Sequence, residues 1–336
     1  MLRVPFADLY AVLERAMLRL GLAPEAAQLS ARLFAETTRD GVYTHGLNRF
    51  PRFEAMVQNS SIDVRATVTR TAAFGALERW NGNRGIGNVN AYTAMQRSIE
   101  LARTSGIGAV ALANTNHWMR GGAFGWQAAD EGLFAICWSN TLANLPAWGT
   151  STPSLGNNPL VIAVPRADGV HVVLDMAMSQ FSYGALASYA RRKESLPVPG
   201  GYDNEGHLTQ DAAAIEASQR ALPIGYWKGS GLSLVLDMIA AMLSGGLATH
   251  QLALEPNLET GQSQIFLAID PSNIAASSEL NYIADGILEH LRLARTVDPD
   301  QPIRYPGEQT LRLREENLRL GVPVDPEIWQ RISGAA

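Results

Sequence analysis

The chain has 336 residues, 46% of them hydrophobic and 18% charged, which is enough apolar material for one large or two smaller folded domains and excludes a disordered chain. A formal net charge of -5 leaves no basic surplus for a phosphate backbone, so no nucleic-acid partner is expected, and the apolar run Leu232 to Leu243 is broken by Asp237 and shorter than the ~20 residues that cross a bilayer, so no membrane partner is expected either. The lone cysteine, Cys137, lies in the apolar run Phe134 to Trp138 and reads as a buried thiol; with no secretory stretch near Leu2 to Asp8, the expected location is cytoplasmic.

Leu9, Val12, Leu13, Met17 and Leu20 recur at helical spacing, and Pro24 opens a second run through Leu29 and Leu33, so two helices precede Gly41. The polar loop Gly41 to Gly46 leads into an expected helix over Leu47 to Gln58, which places His45 close to a helix N-terminus. From about residue 74 the texture changes to short strands and helices: a helix at Asn90 to Thr104, then strands at Ile107 to Leu112, Phe134 to Trp138, Leu160 to Val164 and His171 to Leu174. Arg191 to Leu222, rich in Gly, Pro, Asp and Asn and with a turn at Pro199-Gly200-Gly201, reads as a long excursion of the kind that covers active sites. A helix at Gly231 to Ser244, a strand at Gln264 to Ile269, a long helix to about Thr296 and a helical tail complete the chain.

This alternation is α/β, yet the Rossmann fingerprint is missing. The nearest glycine cluster, Gly82-Asn83-Arg84-Gly85-Ile86-Gly87, has the wrong spacing and follows no clean strand-to-helix turn in the sequence pattern. Walker and zinc patterns are absent too, so no metal is expected.

Among six histidines, His207 and His250 lie in polar loops and His290 in a surface helix, and these are set aside. His45 has two readings: a proton carrier to a carbonyl, with a nearby Arg49 guanidinium gripping a carboxylate, or a residue that merely caps the following helix. His117, in Asn114 to Gly122 directly after a strand, either faces a ligand or satisfies backbone groups in a tight turn. Lys228, in Tyr226-Trp227-Lys228-Gly229-Ser230-Gly231, marks a helix entry where backbone N–H groups would favour a phosphate. Asp175 either fixes a ribose or caps the next element, and Asp237 is as well explained by structure as by function.

Five segments, Gly41 to Gly46, Asn116 to Gly122, Gly156 to Leu160, Asp175 to Ser179 and Gly225 to Gly231, occur in the order found in the malate/L-lactate dehydrogenase family of the second type, which this chain resembles over nearly its whole length. Asn48-Arg49-Phe50-Pro51-Arg52-Phe53 and Phe181-Ser182-Tyr183-Gly184 narrow the likeness to members that reduce a diketo sugar acid. The resemblance implies an α/β fold distinct from Rossmann, a homodimer, and NADH, or NADPH, as cofactor. It divides the chain into an N-terminal helical and substrate-site segment (1–73), a sheet-bearing cofactor domain (74–270) and a C-terminal helical segment (271–336) packed on the first. It implies hydride transfer to the keto group of a small 2-oxo acid, with His45 as proton donor and Arg49 and His117 as substrate-orienting residues. Cofactor contacts are implied at His171, Val172, Val173, Leu174, Asp175, Met176 and Ala177, at Trp227 and Lys228, and at Gly307, Glu308 and Gln309. The alternatives within the class are a malate, lactate or ureidoglycolate dehydrogenase or a cyclic imine 2-carboxylate reductase; outside it stands a non-catalytic small-molecule binding protein. Thr44 and Ser263-Gln264 depart from the resembling pattern, where Ser and Gly-His are usual, and Glu308 stands where the members that reduce a diketo sugar acid are expected to have His.

Overall fold

The computed structural model describes residues 2–255, 258–298 and 300–334. A short strand, β1 (Leu2–Val4), precedes helices α1 (Phe6–Arg19) and α2 (Pro24–Arg39). Leu9, Val12, Leu13, Ala16 and Met17 are all buried along α1, the i, i+3, i+4 spacing that gives a helix one apolar stripe. Pro24 opens α2 at a position where a missing N–H costs nothing. Two 3-10 turns follow, Tyr43–His45 and Leu47–Arg49, and the α-helix expected from Leu47 begins only at α3 (Phe50–Gln58). Pro51 accounts for the delay, because it is tolerated only in the first turn of a helix.

The middle of the chain runs β2 (Thr69–Phe74), β3 (Leu77–Asn81), α4 (Gly87–Ser105), β4 (Ile107–Asn116), α5 (Gly122–Asp130), β5 (Phe134–Ser139), β6 (Leu145–Pro146), β7 (Pro153–Leu155), β8 (Leu160–Val164) and β9 (Val172–Met176). The expected loop excursion is folded: α6 (Tyr183–Arg192), the hairpin β10 (Gly201–Tyr202) and β11 (Leu208–Thr209), and α7 (Ala212–Ser218), whose N-terminus Asp211 caps by accepting from the Ala213 and Ala214 N–H groups. Then come α8 (Trp227–Ser244), β12 (Thr260–Ile269), α9 (Ser277–Arg292), α10 (Glu308–Leu320), β13 (Val322–Val324) and α11 (Pro326–Ser333).

Seven strands form one mixed sheet in the order β2-β3-β4-β12-β5-β8-β9, with β3 and β4 parallel and every other pair antiparallel. Helices α4 and α5 cover one face through Met95, Ile99, Phe124 and Trp126, packed with Phe266 and Cys137 from the central strands. Helix α8 lies against the other, where Ala240 meets Ala111 and Ile265 and the Trp138 indole N–H donates to Leu236 O. The chain ends share a layer beside the sheet: β1 pairs with β13, and Leu13, Phe34, Phe53, Val324 and Ile332 belong to a single apolar cluster. Ile86 and Met119, which flank the ends of β3 and β4, join that cluster. The loop after β4 is thereby clamped between sheet and terminal layer. No helix among the described residues is long and apolar enough to cross a membrane.

Candidate active site

A cleft of about 440 Å3 opens where the terminal layer, the end of β4, the end of β9 and the start of α6 meet. The first 3-10 turn carries His45 into it and the loop after β4 carries His117, so that the two rings lie nearly parallel (25°) with centroids 5.9 Å apart. His117 Nδ1 accepts the Met119 N–H at 3.0 Å, which leaves the proton of the neutral ring on Nε2. The backbone-satisfying reading of His117 is therefore true of one ring nitrogen, while the other remains for a ligand. His45 Nδ1 lies 3.0 Å from the Thr44 hydroxyl. A hydroxyl can donate to a neutral ring or accept from a charged one, so Thr44 serves His45 in both protonation states.

Charge around the rings is positive. Arg49, Arg52 and Arg120 all line the cleft. Desolvation, then the Arg49 and Arg120 charges, push the His45 pKa down to about 4. Desolvation first, then Arg49, His45 and Arg52, hold His117 well below the ordinary histidine value. Both imidazoles are thus neutral at physiological pH in the free protein. Arg49 is itself lowered to about 10 by burial and by Arg52, against the pull of Glu259, and stays a cation. Arg120 turns its Nη1 to Asp40 at 2.8 Å, and Asp40 also receives Arg39 and a two-pronged Arg314.

Asp175, at the end of β9, faces the cleft and accepts the Gly122 N–H at 2.8 Å, so it caps the start of α5. Asp175 is exposed to the cleft, but protein surrounds it closely, and desolvation raises its pKa against the opposing effects of Arg120 and the Gly122 N–H. Asp237 lies outside the cleft lining and is structural: it accepts from Asn140 Nδ2 and from the Thr249 N–H.

The remaining expected cofactor residues line up along β9, the edge strand of the sheet. Val173 N–H donates outward to Pro306 O at 3.0 Å, which brings Gly307 against the strand. Gly307 has φ +98°, and a Cβ there would stand 3.1 Å from Val173 N. At the other end, Ile224 N–H donates to Met178 O and Ser179 bridges to Pro223, which brings the turn before Trp227 and Lys228 beside the end of β9. Asp175 and Ala177 share the cleft with His45, Arg49 and His117; Trp227, Lys228, Gly307, Glu308 and Gln309 lie outside its lining.

These residues fit a pyridine dinucleotide, the cofactor that the sequence resemblance implies. The Gln309 Oε1 and the Ser179 hydroxyl are buried without hydrogen-bond partners, and Lys228 is exposed with no ion pair among the described residues. Some expected contacts are closed. The Lys228, Gly229 and Ser230 N–H groups are spent on Gly225, Ile224 and Tyr226 carbonyls, so the helix entry offers the Lys228 ammonium rather than an N–H nest. His171 is buried between the Arg166 N–H and Asp130, and Glu308 bonds Arg292 and the Tyr305 N–H. The His171 ring can meet a ligand only by breaking these bonds, whereas the partly exposed Glu308 carboxylate keeps acceptor capacity on both oxygens.

The glycine cluster from Gly82 to Gly87 does form a strand-to-helix turn, between the parallel strands β3 and β4 joined by α4, which the sequence pattern hid. The His117 loop fills it. A Cβ on Gly87 would sit 2.2 Å from His117 O, and Asn116 Nδ2 donates to Arg84 O and Gly85 O at 2.8 Å each. These glycines instead let the His117 loop close onto the turn. Sequence reasoning also missed Glu259 and Asn144 in the cleft lining, and used Asn157 and Tyr183 only as parts of the resembling motifs without giving them a place there. No local signal marks Glu259 and Asn144, because each reaches the site by long-range packing.

Two stacked imidazoles beside a guanidinium, on a mixed sheet whose one βαβ turn is plugged, agree with the class that the sequence resemblance implies: α/β dehydrogenases without a Rossmann unit. Comparison with known proteins gives the same answer. The malate/L-lactate dehydrogenase family matches residues 4–333. The 2,3-diketo-L-gulonate reductases of Citrobacter koseri and Klebsiella pneumoniae are each 44% identical over 331 residues, 98% of this chain and 99% of theirs. Among solved structures, delta1-piperideine-2-carboxylate reductase from Pseudomonas syringae superposes with a TM-score of 0.89 at 26% identity, covering 100% of both chains. Malate dehydrogenase from Pyrococcus horikoshii gives 0.87 at 25%, covering 98% of this chain and 95% of that one. The chain belongs to the malate/L-lactate dehydrogenase family, as an oxidoreductase acting on CH–OH groups.

Proposed function

We propose that the protein reduces the keto group of a 2-oxo acid bearing a hydroxylated chain, 2,3-diketo-L-gulonate above others, with NADH as hydride source. The observation that carries this reading is the convergence of His45, His117 and Arg49 in one cleft. A nicotinamide supplies the hydride when bound; Lys228, Gln309, Ser179 and the outer edge of β9 are the groups that would hold it. Arg49 grips the substrate carboxylate through two parallel N–H donors and so fixes the carbonyl. His117, with its proton on Nε2, donates to a substrate oxygen. His45 delivers a proton to the oxygen that gains negative charge, and Thr44 accepts from Nδ1 as the ring becomes an imidazolium. The low pKa of His45 in the free protein makes that ring a strong acid once charged, and the substrate carboxylate offsets the Arg49 charge that depresses it.

Asn144, Asn157, Ser182, Tyr183 and Gln219 line the cleft as neutral amides and hydroxyls. Such a wall suits a hydroxylated tail better than the methyl of pyruvate, and together with the two relatives named above it favours the diketo sugar acid. In this reading residues 74–270 hold the cofactor and segments 1–73 and 271–336 close the cleft. The protein works in the cytoplasm as a homodimer. Leu234, Val235, Met238 and Met242 are exposed along α8, an apolar face of the size that a second copy covers.

The test is loss of reduced-nicotinamide absorbance with NADH or NADPH and a panel of 2-oxo acids, oxaloacetate, pyruvate and a cyclic imine 2-carboxylate included. Turnover fastest with 2,3-diketo-L-gulonate and NADH is expected; turnover only with another member reassigns the substrate, and none with any favours a binding protein.

A further inference from the structure

Glu259 stands where the two guanidiniums at the carboxylate end of the cleft meet. Its Oε2 is 3.0 Å from Arg52 Nη2 and 3.9 Å from Arg49 Nη2, while Oε1 accepts from Gln262 Nε2 at 2.9 Å and from the Leu142 N–H at 3.4 Å. This carboxylate is 4% exposed, lines the cleft, and has no part in the hydride or proton steps above. Burying an acid here is costly unless its charge is used. Two guanidiniums share one carboxylate, so one positive charge is in excess. The third cation of the cleft, Arg120, faces Asp175, so the three arginines and two carboxylates of the lining again sum to one positive charge.

We propose that Glu259 is a specificity-determining residue: by neutralising one of the Arg49 and Arg52 charges it leaves a single charge for the substrate, so the cleft takes monocarboxylate 2-oxo acids and turns away dicarboxylates. The proposal rests on the reading of Arg49 as the carboxylate-binding residue. A monoanion fills the excess and leaves the cleft neutral. A dianion brings a second negative charge into a desolvated space with no partner, which is discrimination by an unpaired charge. Removal of the Glu259 charge at constant shape supplies the missing partner by raising the net charge of the Arg49, Arg52 and Glu259 group from one to two.

Oxamate and oxalate test this, since they have nearly the same size and carry one and two negative charges. Their affinities are measured by calorimetry on the NADH-bound protein, with no turnover involved. The wild-type protein is expected to prefer oxamate by about tenfold or more, and Glu259→Gln to reverse that preference, with oxalate binding tighter than it does to wild type. Glu259→Asp, which keeps the charge, retains the oxamate preference. An unchanged ratio in folded Glu259→Gln overturns the proposal. Should that single variant not fold, Arg52→Gln with Glu259→Gln removes both charges, restores the excess of one, and is expected to prefer oxamate like wild type; a double variant that prefers oxalate overturns the proposal as well. A wild-type protein that shows the oxamate preference yet oxidises no NADH with any 2-oxo acid supports the charge argument while contradicting the proposed reaction.

Discussion

Two buried acids, Asp40 and Glu259, each gather arginines, and they differ in whether the group is closed. Asp40 receives Arg39 and Arg314 on one oxygen and Arg120 and Arg314 on the other, all at 2.8 to 2.9 Å, so its acceptor sites are filled by protein. Arg314 and Arg39 further stack over Trp126 and Phe6. Glu259 has two arginines, one of them only at 3.9 Å, beside open space. A cluster that saturates itself ties α2, the loop after β4 and α10 together; one that leaves charge and volume unmatched waits for a ligand. Arg120 belongs to both, with Asp40 behind it and the cleft in front.

Substitutions should separate the two. His45→Gln, on the open side, is expected to lower carbonyl reduction by about 100- to 10,000-fold, the usual contribution of a positioned general acid, with melting temperature unchanged; steady-state kinetics beside calorimetric melting checks both halves. Asp40→Asn, on the closed side, should do the opposite. It strands three arginines and is expected to cost roughly 3–5 kcal/mol of stability in urea unfolding, the range for breaking a buried pair.

The pH responses sharpen the contrast. With His45 at about 4 in the free protein, only the protonated fraction is competent for reduction, so kcat/KM for the keto acid should fall about tenfold per pH unit between pH 5 and 8, estimated from simple titration. The oxidation direction needs neutral His45 and should stay flat over that range. Asp40 acts on stability instead. Its pKa falls from 3.8 to about 2: desolvation opposes ionisation, but the Arg314 hydrogen bond and the Arg120, Arg39 and Arg314 charges outweigh it. A lowered acid stabilises the fold above its unfolded value, and that share, about 2 kcal/mol, should be lost as pH drops from 3.8 toward 2. Acid unfolding of wild type against Asp40→Asn would show whether the loss belongs to this group.

The smallest expected effect concerns Thr44. Thr44→Val removes the hydroxyl beside His45 and should lower kcat by about three- to tenfold, the worth of one hydrogen bond, whereas Thr44→Ser should restore it. Thr44 also packs against Gly184, where a Cβ would come within 2.8 Å of its side chain, so the start of α6 bears on the orientation of the His45 ring.

Periodicity and turn residues made the helices and most of the sheet legible. The α1 stripe, the Pro24 start of α2 and the strands β5 and β8 follow local rules, as did the α/β class without a Rossmann fingerprint. The plugged turn between β3 and α4 was not legible, because what fills it is the His117 loop over 30 residues away in sequence. His45 and His117 stood out by flanking residues and order of motifs; Glu259 did not, since a glutamate near a strand looks like any surface acid until Arg49 and Arg52 fold onto it. The neutral state of His45 in the free protein was equally hidden, as it depends on burial and on the Arg49 and Arg120 charges, the second of which is brought from the loop after β4.

The most direct test of the account is to follow deuterium from NADH labelled at nicotinamide C4 into product by NMR, for wild type and His45→Gln, with NADH affinity measured in parallel. The account predicts label at the former carbonyl carbon of 2,3-diketo-L-gulonate with wild type and nearly none with the variant, at equal NADH affinity. Equal labelling by both proteins would contradict it.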